Sequence, residues 1–155
     1  MPLLGSCLCK AVQVQVADDV LPLKFAQCFC QNCATSHSAP GCIVAGMLTK
    51  FVTITGPTTE YCDLETDSGK AVKRAFCPTC GTPIRSWPEI HPEVTALRGG
   101  LFARSSAAED TAQKRGHDFV FSAPVEEMYT ERRERQFPWL AAQSGAKQWA
   151  RKGDY

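Results

Sequence analysis

Three tight groups of cysteines constrain this chain more than any other feature of its sequence. Together they hold seven of its nine cysteines. The groups are Cys7 with Cys9, then Cys28 with Cys30 and Cys33, then Cys77 with Cys80. Zinc takes four ligands in a tetrahedron, with sulfur at about 2.3 Å, so closely spaced thiolates are what such a soft divalent metal needs. We therefore expect a fold that is built around metal.

The size and composition of the chain fit one globular domain. Its 155 residues can bury a core, and 44% hydrophobic and 21% charged residues are ordinary for such a protein. We expect a single domain over 1–155, with its core at about 5–140 and a C-terminal tail at 141–155. The net charge of +1 is spread evenly, which predicts that the protein does not bind nucleic acid.

The start of the chain and its cysteine usage predict a cytoplasmic protein. Residues 1–7 lack the basic start and apolar run of a signal peptide, and no apolar stretch approaches the length of a membrane span. In a reducing compartment clustered cysteines favour metal over disulfides, and the odd count of nine also argues against the disulfide alternative. Cys42 and Cys62 lie outside the groups and are expected to be small buried apolar residues.

The hydrophobic pattern predicts a mainly β fold with few short helices. Val12, Val14 and Val16 alternate with polar or small residues, as in a half-buried strand. Further strands are predicted at 42–48, 51–56, 71–76, 94–97 and 118–121. Helical pattern is sparse: the polar segment 103–116 fits a solvated helix or a mobile loop, and 138–150 fits a short terminal helix.

The first and last cysteine groups form two pairs that are far apart in the chain. Cys7, Cys9, Cys77 and Cys80 would close a tetrahedral site with no vacancy, which is the structural kind of zinc site. Gly81 suits a tight turn beside this site, because glycine tolerates a positive φ. A metal here would join the N-terminal strand to the middle of the chain.

The middle group differs in kind because Cys28, Cys30 and Cys33 lie within six residues. The segment must be a bent loop, since residues 28 and 30 of a straight strand share a face from which residue 33 points away. Three protein ligands and one exchangeable position are the arrangement of catalytic zinc. From spacing alone, His37 could instead close a structural site, or it could be a loop residue that is hydrogen-bonded to the backbone.

The chain resembles the glutathione-dependent formaldehyde-activating enzyme family, which includes centromere protein V, over about residues 5–140. The matching segments are 5–9 (GSCLC), 28–33 (CFCQNC), 38–40 (SAP), 51–56 (FVTITG) and 76–83 (FCPTCGTP), with weaker matches at 95–100 (TALRGG) and 137–140 (FPWL). The chain departs from the family where Ala34 replaces a basic residue and where residues 37–40 replace the usual SGAP. The segment 103–116 is also longer than is typical.

The resemblance implies a β-tent fold, shared with type B methionine sulfoxide reductases and small zinc chaperones. It also implies two Zn²⁺ ions per chain. The two cysteine pairs would hold a structural ion, and the group of Cys28, Cys30 and Cys33 would hold a catalytic one.

The activity that the resemblance implies is that of a zinc-dependent carbon–sulfur lyase. Its substrate would be a small molecule such as the glutathione adduct S-hydroxymethylglutathione. His37 is the candidate for proton transfer, because an ordinary histidine titrates near neutrality. Three thiolates leave a divalent metal with a net charge of −1, so nearby cations would help a fourth thiolate to bind. The candidate cations are Lys73, Arg74, Arg85 and Arg98.

Two other functions remain open from the sequence. The first is a zinc enzyme that acts as a Lewis acid on another carbonyl metabolite, by hydrolysis, decarboxylation or elimination. The second is a non-catalytic binding module that zinc stabilises, which a site closed by His37 would favour. The sequence gives no oligomeric state.

Overall fold

The computed structural model describes residues 2–103, 124–140 and 147–149. Within these residues the chain forms eleven strands and two α-helices. The strands are β1 Leu3–Ser6, β2 Gln13–Val16, β3 Ala26–Cys28, β4 Cys42–Leu48, β5 Val52–Thr55, β6 Thr59–Asp63, β7 Val72–Phe76, β8 Pro83–Pro88, β9 Val94–Arg98, β10 Glu126–Met128 and β11 Lys147–Trp149; the helices are α1 Gln31–His37 and α2 Thr130–Gln136. The prediction of a mainly β fold with few short helices is confirmed.

The strands form two sheets. The smaller sheet is antiparallel, in the order β1-β2-β5. The larger sheet has the order β11-β10-β3-β4-β9-β8-β7-β6 and is antiparallel, apart from the parallel pairing of β10 with β3 and with β11. In β2 the valines are buried and the glutamines are exposed, as the alternating pattern predicted.

The main core joins the two sheets. Val14 and Val16 of β2 pack in one buried cluster with Ile84 of β8 and Leu97 of β9. Phe25 and Phe102 are also fully buried there. A second, smaller cluster includes Cys28, Cys33, Cys42 and Tyr129 and lies around the start of α1. This smaller cluster positions the middle cysteine group.

The structure corrects three of the sequence predictions. Residues 147–149 form strand β11, so a helix over 138–150 is wrong for this part of it. The middle cysteine segment is not only a bent loop, because Cys33 lies in helix α1. Cys62 is exposed, because β6 is the edge strand of the large sheet and only Asp63 of that strand is buried. The strand predicted at 118–121 and nearly all of 103–116 lie outside the described residues.

Candidate metal centres and the adjoining cavity

The four-cysteine cluster consists of Cys7, Cys9, Cys77 and Cys80, whose sulfur atoms all lie within 4.8 Å of one another. The first two follow β1, and the other two form the turn between β7 and β8. The sulfurs of Cys7 and Cys9 are 3.5 Å apart, and those of Cys9 and Cys77 are 3.7 Å apart. Sulfurs around a tetrahedral zinc are separated by about 3.8 Å, given a metal–sulfur distance of about 2.3 Å. The cluster could therefore hold a metal ion, and its spacing is compatible with zinc.

Backbone turns and one hydroxyl hold these sulfurs in place. The backbone N–H of Val12 donates to Cys7 Sγ at 3.2 Å. Gly81 adopts the positive φ of 71° that the turn was predicted to need. Thr82 Oγ1 accepts from the N–H of Leu8 at 3.1 Å and lies 3.2 Å from Cys80 Sγ, so its own hydrogen can point at that sulfur. This hydroxyl hydrogen bond is the main cause that lowers the pKa of Cys80 to about 5.

The three-cysteine cluster consists of Cys28, Cys30 and Cys33, whose sulfurs also lie within 4.8 Å of one another. Cys28 ends β3, and Cys30 is the N-cap of α1. The sulfur of Cys30 accepts the backbone N–H of Cys33 at 3.4 Å, so the contact that begins the helix also brings these two side chains together. The cluster could hold a metal ion through three sulfurs, which is compatible with zinc and leaves a tetrahedral position for another ligand.

A cavity of about 160 Å³ adjoins the three-cysteine cluster. Its wall includes all three cysteines together with Arg74, Arg98 and Tyr129. A wider groove of about 760 Å³ shares part of this wall, including Asn32, Asp67 and Arg74. The groove therefore lies beside the cavity that the three cysteines line.

The family model described as glutathione-dependent formaldehyde-activating enzyme matches residues 2–121. The chain belongs to this family. Among solved structures, a crystal structure of a Rhodobacter sphaeroides protein is similar, with 20% sequence identity and a TM-score of 0.46 over 63% of this chain and 85% of that one. No curated protein matches the chain.

Each of the two α-helices in the described part of the chain is only seven residues long. Neither is long and apolar enough to cross a bilayer.

The protein also contains a network of hydrogen-bonded side chains that was not predicted from its sequence. Asp63 Oδ2 accepts hydrogen bonds from Asn32 Nδ2 and from Arg74 Nε, both at 2.8 Å, and Arg74 Nη2 is 2.6 Å from the same oxygen. Asn32 lies between two of the clustered cysteines, so the network ties α1 to strands β6 and β7. The sequence signal was weak, because Asp63 and Arg74 come from different strands and only their pairing in the sheet brings them together.

Tyr129 was also missed by the sequence analysis, although it lies in the cavity wall. Its backbone has a φ of 62°, which is uncommon for a residue with a side chain and is often found at functional sites. Burial raises the pKa of its phenol, and the charge of Asp67 acts in the same direction. The phenol therefore stays protonated near neutral pH.

Cys42 is buried as expected, but its surroundings are not simply apolar. Its sulfur accepts a hydrogen bond from Arg98 Nη1 at 3.5 Å. It also interacts with Cys33, and this interaction is the main cause that raises the pKa of Cys42. The pKa of Cys33 is lowered in turn by hydrogen bonds from Cys28, Cys30 and Cys42, and by the charge of Arg98. A protonated Cys42 thus links Arg98 to one of the clustered sulfurs.

His37 ends helix α1 and does not join either group of sulfurs. Its Nδ1 lies 2.9 Å from the carbonyl oxygen of Cys33 and 2.9 Å from Ser36 Oγ, and its Nε2 has no hydrogen-bond partner among the described residues. Burial lowers the pKa of the imidazole. His37 is not part of the cavity wall either. Its contact with the backbone agrees with the alternative of a residue that is hydrogen-bonded to the backbone, but His37 lies in a helix and not in a loop.

The four candidate cations separate into two classes. Arg74 and Arg98 lie in the cavity wall. Lys73 instead pairs with Glu89 at 3.6 Å, and Arg85 stacks over the ring of Trp87 at 4.1 Å. Strand β7 explains part of this division, because Lys73 and Arg74 are neighbours that point to opposite faces of the sheet.

Proposed function

We propose that this protein is a zinc-dependent carbon–sulfur lyase that forms or cleaves an adduct between a thiol and an aldehyde. The observation that carries the proposal is the open three-cysteine cluster in the wall of a cavity. The family supplies the reaction class, because its name specifies formaldehyde activation and glutathione dependence. The substrate class proposed here is accordingly a small thiol or its adduct, with S-hydroxymethylglutathione as the reference compound.

The two clusters have different roles in this proposal. The four-cysteine cluster holds a structural Zn²⁺ between the two sheets, and the three-cysteine cluster holds the catalytic Zn²⁺. When bound there, zinc supplies a Lewis acid that lowers the pKa of a thiol at its open position. Soft sulfur suits this position better than a carboxylate does.

The reaction joins the thiol sulfur to the aldehyde carbon. One carbon–sulfur bond forms, the π bond of the carbonyl breaks, and the thiol proton is transferred to the carbonyl oxygen. Cleavage is the reverse of these changes. No oxidant or reductant is required.

The chain's own residues would bind and orient the substrate. The wider groove beside the cavity has room for the remainder of a tripeptide such as glutathione. The phenol of Tyr129 lies in the cavity wall, where it interacts with the carboxylate of Asp67. Proton transfer by His37 stays a prediction, because its Nδ1 is bound to the carbonyl of Cys33 and its Nε2 has no partner in the described residues.

Metal analysis and product analysis together test the proposal. We expect about two zinc ions in the wild type, and about one in Cys28→Ser with the fold retained, because one cluster alone carries structure. Nuclear magnetic resonance with ¹³C-formaldehyde and glutathione should show faster formation of the adduct than in buffer, and Cys28→Ser should abolish that acceleration. One zinc ion in the wild type, or equal rates with and without the protein, would refute the proposal.

The Lewis-acid alternative is favoured by one observation, namely that the wall of the narrow cavity contains Arg98, a guanidinium that has no carboxylate partner among the described residues and would suit an anionic carbonyl compound. Cobalt substitution separates it from the lyase. A new sulfur-to-cobalt absorption band on addition of glutathione supports the lyase. A response to small carbonyl acids without a response to thiols supports the alternative.

A further inference from the structure

Arg98 is a buried cation with no carboxylate partner in the part of the chain that the structure describes. Its exposed fraction is 6%. Its Nη2 donates to Ser86 Oγ at 2.9 Å and its Nη1 donates to Cys42 Sγ at 3.5 Å, while its Nε has no hydrogen-bond partner. A buried charge is costly unless an opposite charge lies nearby.

Arg133 is a second buried arginine and provides a comparison for Arg98. The two arginines are the buried ones among the described residues, and Arg133 is 3% exposed. Its Nη1 lies 3.0 Å from Oε2 of the fully buried Glu127, so its charge is neutralised within the protein. The half-buried Arg74 likewise has Asp63. Arg98 is different, and the negative charge that compensates it must come from elsewhere.

The three-cysteine cluster is the natural source of that charge. Arg98 and all three cysteines are in the wall of the same cavity. Arg98 also reaches the cluster indirectly, because Cys42 accepts a hydrogen bond from Arg98 and interacts with Cys33. Residues that contact the metal ligands without binding the metal themselves tune the affinity and reactivity of a metal site.

The charges of the site give this contact a function. Three thiolates around a divalent metal carry a net charge of −1, which repels a further thiolate. With Arg98 the sum is zero, so an anionic ligand can enter without placing two uncompensated negative charges in a partly buried site. A neutral ligand would gain much less from the same cation.

We propose that Arg98 is the counter-cation of the three-cysteine centre and that it determines selectivity for an anionic thiolate at the open position. This inference rests on the proposed function. Arg98 acts as a positioning residue, since it acts on the ligand through the charge of the site and through Cys42. The ligand class it favours is a small thiol that binds as its thiolate.

The test compares Arg98→Met with Arg98→Lys, and uses Arg85→Met as a matched control that removes one positive charge outside the cavity. Each variant is loaded with cobalt and titrated with glutathione, an anionic thiol probe, and with imidazole, a neutral probe. Zinc affinity is measured in parallel by competition with a chromophoric chelator. None of these readouts depends on turnover.

We expect Arg98→Met to weaken glutathione binding by at least about tenfold and to change imidazole binding by less than about threefold, because a charge acts mainly on an anion. Arg98→Lys and Arg85→Met should remain within about threefold of the wild type for both probes. Loss of metal from the three-cysteine cluster in Arg98→Met alone would equally support the role of a counter-cation.

Three outcomes would overturn the inference. They are unchanged glutathione binding in Arg98→Met, equal weakening of both probes, and a defect in Arg98→Lys as large as that in Arg98→Met. If Arg98→Met does not fold, Arg98→Lys decides: glutathione affinity within about threefold supports the inference, and a tenfold loss contradicts it. Failure of the proposed function would look different, because wild-type protein would then lack the second metal or give no response to thiols.

Discussion

Asn32 Nδ2 donates a hydrogen bond of 2.8 Å to Oδ2 of Asp63, which joins the first turn of α1 to the edge strand β6. The same carboxylate oxygen accepts from Arg74 Nε at 2.8 Å. The segment that carries the three-cysteine cluster is therefore braced by a charged group that is itself 5% exposed. Asn32 and Asp63 therefore help to fix the position of the three cysteines, which could hold a metal ion.

Asp63→Asn should destabilise the protein by about 2–3 kcal/mol, because it leaves the guanidinium of Arg74 half-buried and without its opposite charge. Urea unfolding followed by circular dichroism measures this free energy. Lys73→Met is the control: it removes an exposed ion pair with Glu89 and should cost less than about 1 kcal/mol. Equal losses in the two variants would contradict the bracing role of Asp63.

Gly41→Ala should displace the end of β3 and release metal from the three-cysteine cluster. A Cβ at residue 41 would lie 2.4 Å from the carbonyl oxygen of Cys28, which is too close for any side chain. We expect a loss of about 1–3 kcal/mol in stability, as for other overpacked sites, and a fall in bound zinc from about two ions toward one. Gly46→Ala on β4 meets nothing within 4 Å and should change neither quantity.

Thr82→Val should make the four-cysteine cluster release metal at higher pH. The Thr82 hydroxyl is the main cause of the lowered pKa of Cys80, about 5 against an ordinary 9.0. Stabilisation from the ionised thiol is therefore present above pH 9 and is lost as the pH falls through about 5. Without the hydroxyl the pKa rises, so protons compete with metal earlier during acidification.

A zinc indicator in an acid titration measures this effect. We expect the release midpoint of Thr82→Val to rise by about 0.5–1 pH unit. Thr79→Val changes an exposed threonine of the same turn and should leave the midpoint in place. A midpoint unchanged in Thr82→Val would show that the hydroxyl does not tune this cluster.

His37→Ala tests the predicted proton transfer. If His37 transfers the proton, turnover of the adduct should fall by about tenfold or more while the zinc content stays constant. Because burial lowers the pKa of His37, the limb of the pH–rate profile due to this residue should lie below pH 6.5. His91→Ala, at an exposed histidine paired with Glu93, is the control. Unchanged turnover in His37→Ala would remove it from the mechanism.

The sequence predicted those parts of the fold that depend on local pattern. Strand β4 coincides with the apolar run 42–48, and β2 follows the valine alternation, because side-chain period and burial are coupled in a strand. Close cysteine spacing likewise predicted which sulfurs come together within each group, and the four ligands of a tetrahedral site predicted that the two distant pairs meet. The organisation as one domain over 1–155 stays a prediction.

The remainder depends on contacts between distant parts of the chain. Helix α1 was not predicted, because its start is a cysteine N-cap and its end is Ser38 in the left-handed region, neither of which is a strong signal. The role of Cys42 was hidden, since the arginine it contacts is 56 positions away. The difference between Arg98 and Arg85 is likewise visible only once strands β8 and β9 are paired.

The four-cysteine cluster has a consequence for how the protein comes apart. Two of its sulfurs follow β1 of the small sheet, and the other two lie in the turn between β7 and β8 of the large one. A chelator that removed a metal ion from this cluster would release the link between the two sheets, while the backbone hydrogen bonds within each sheet stayed intact. Amide protons of β1 and β2 should then exchange with solvent sooner than those of the central strands β4 and β9.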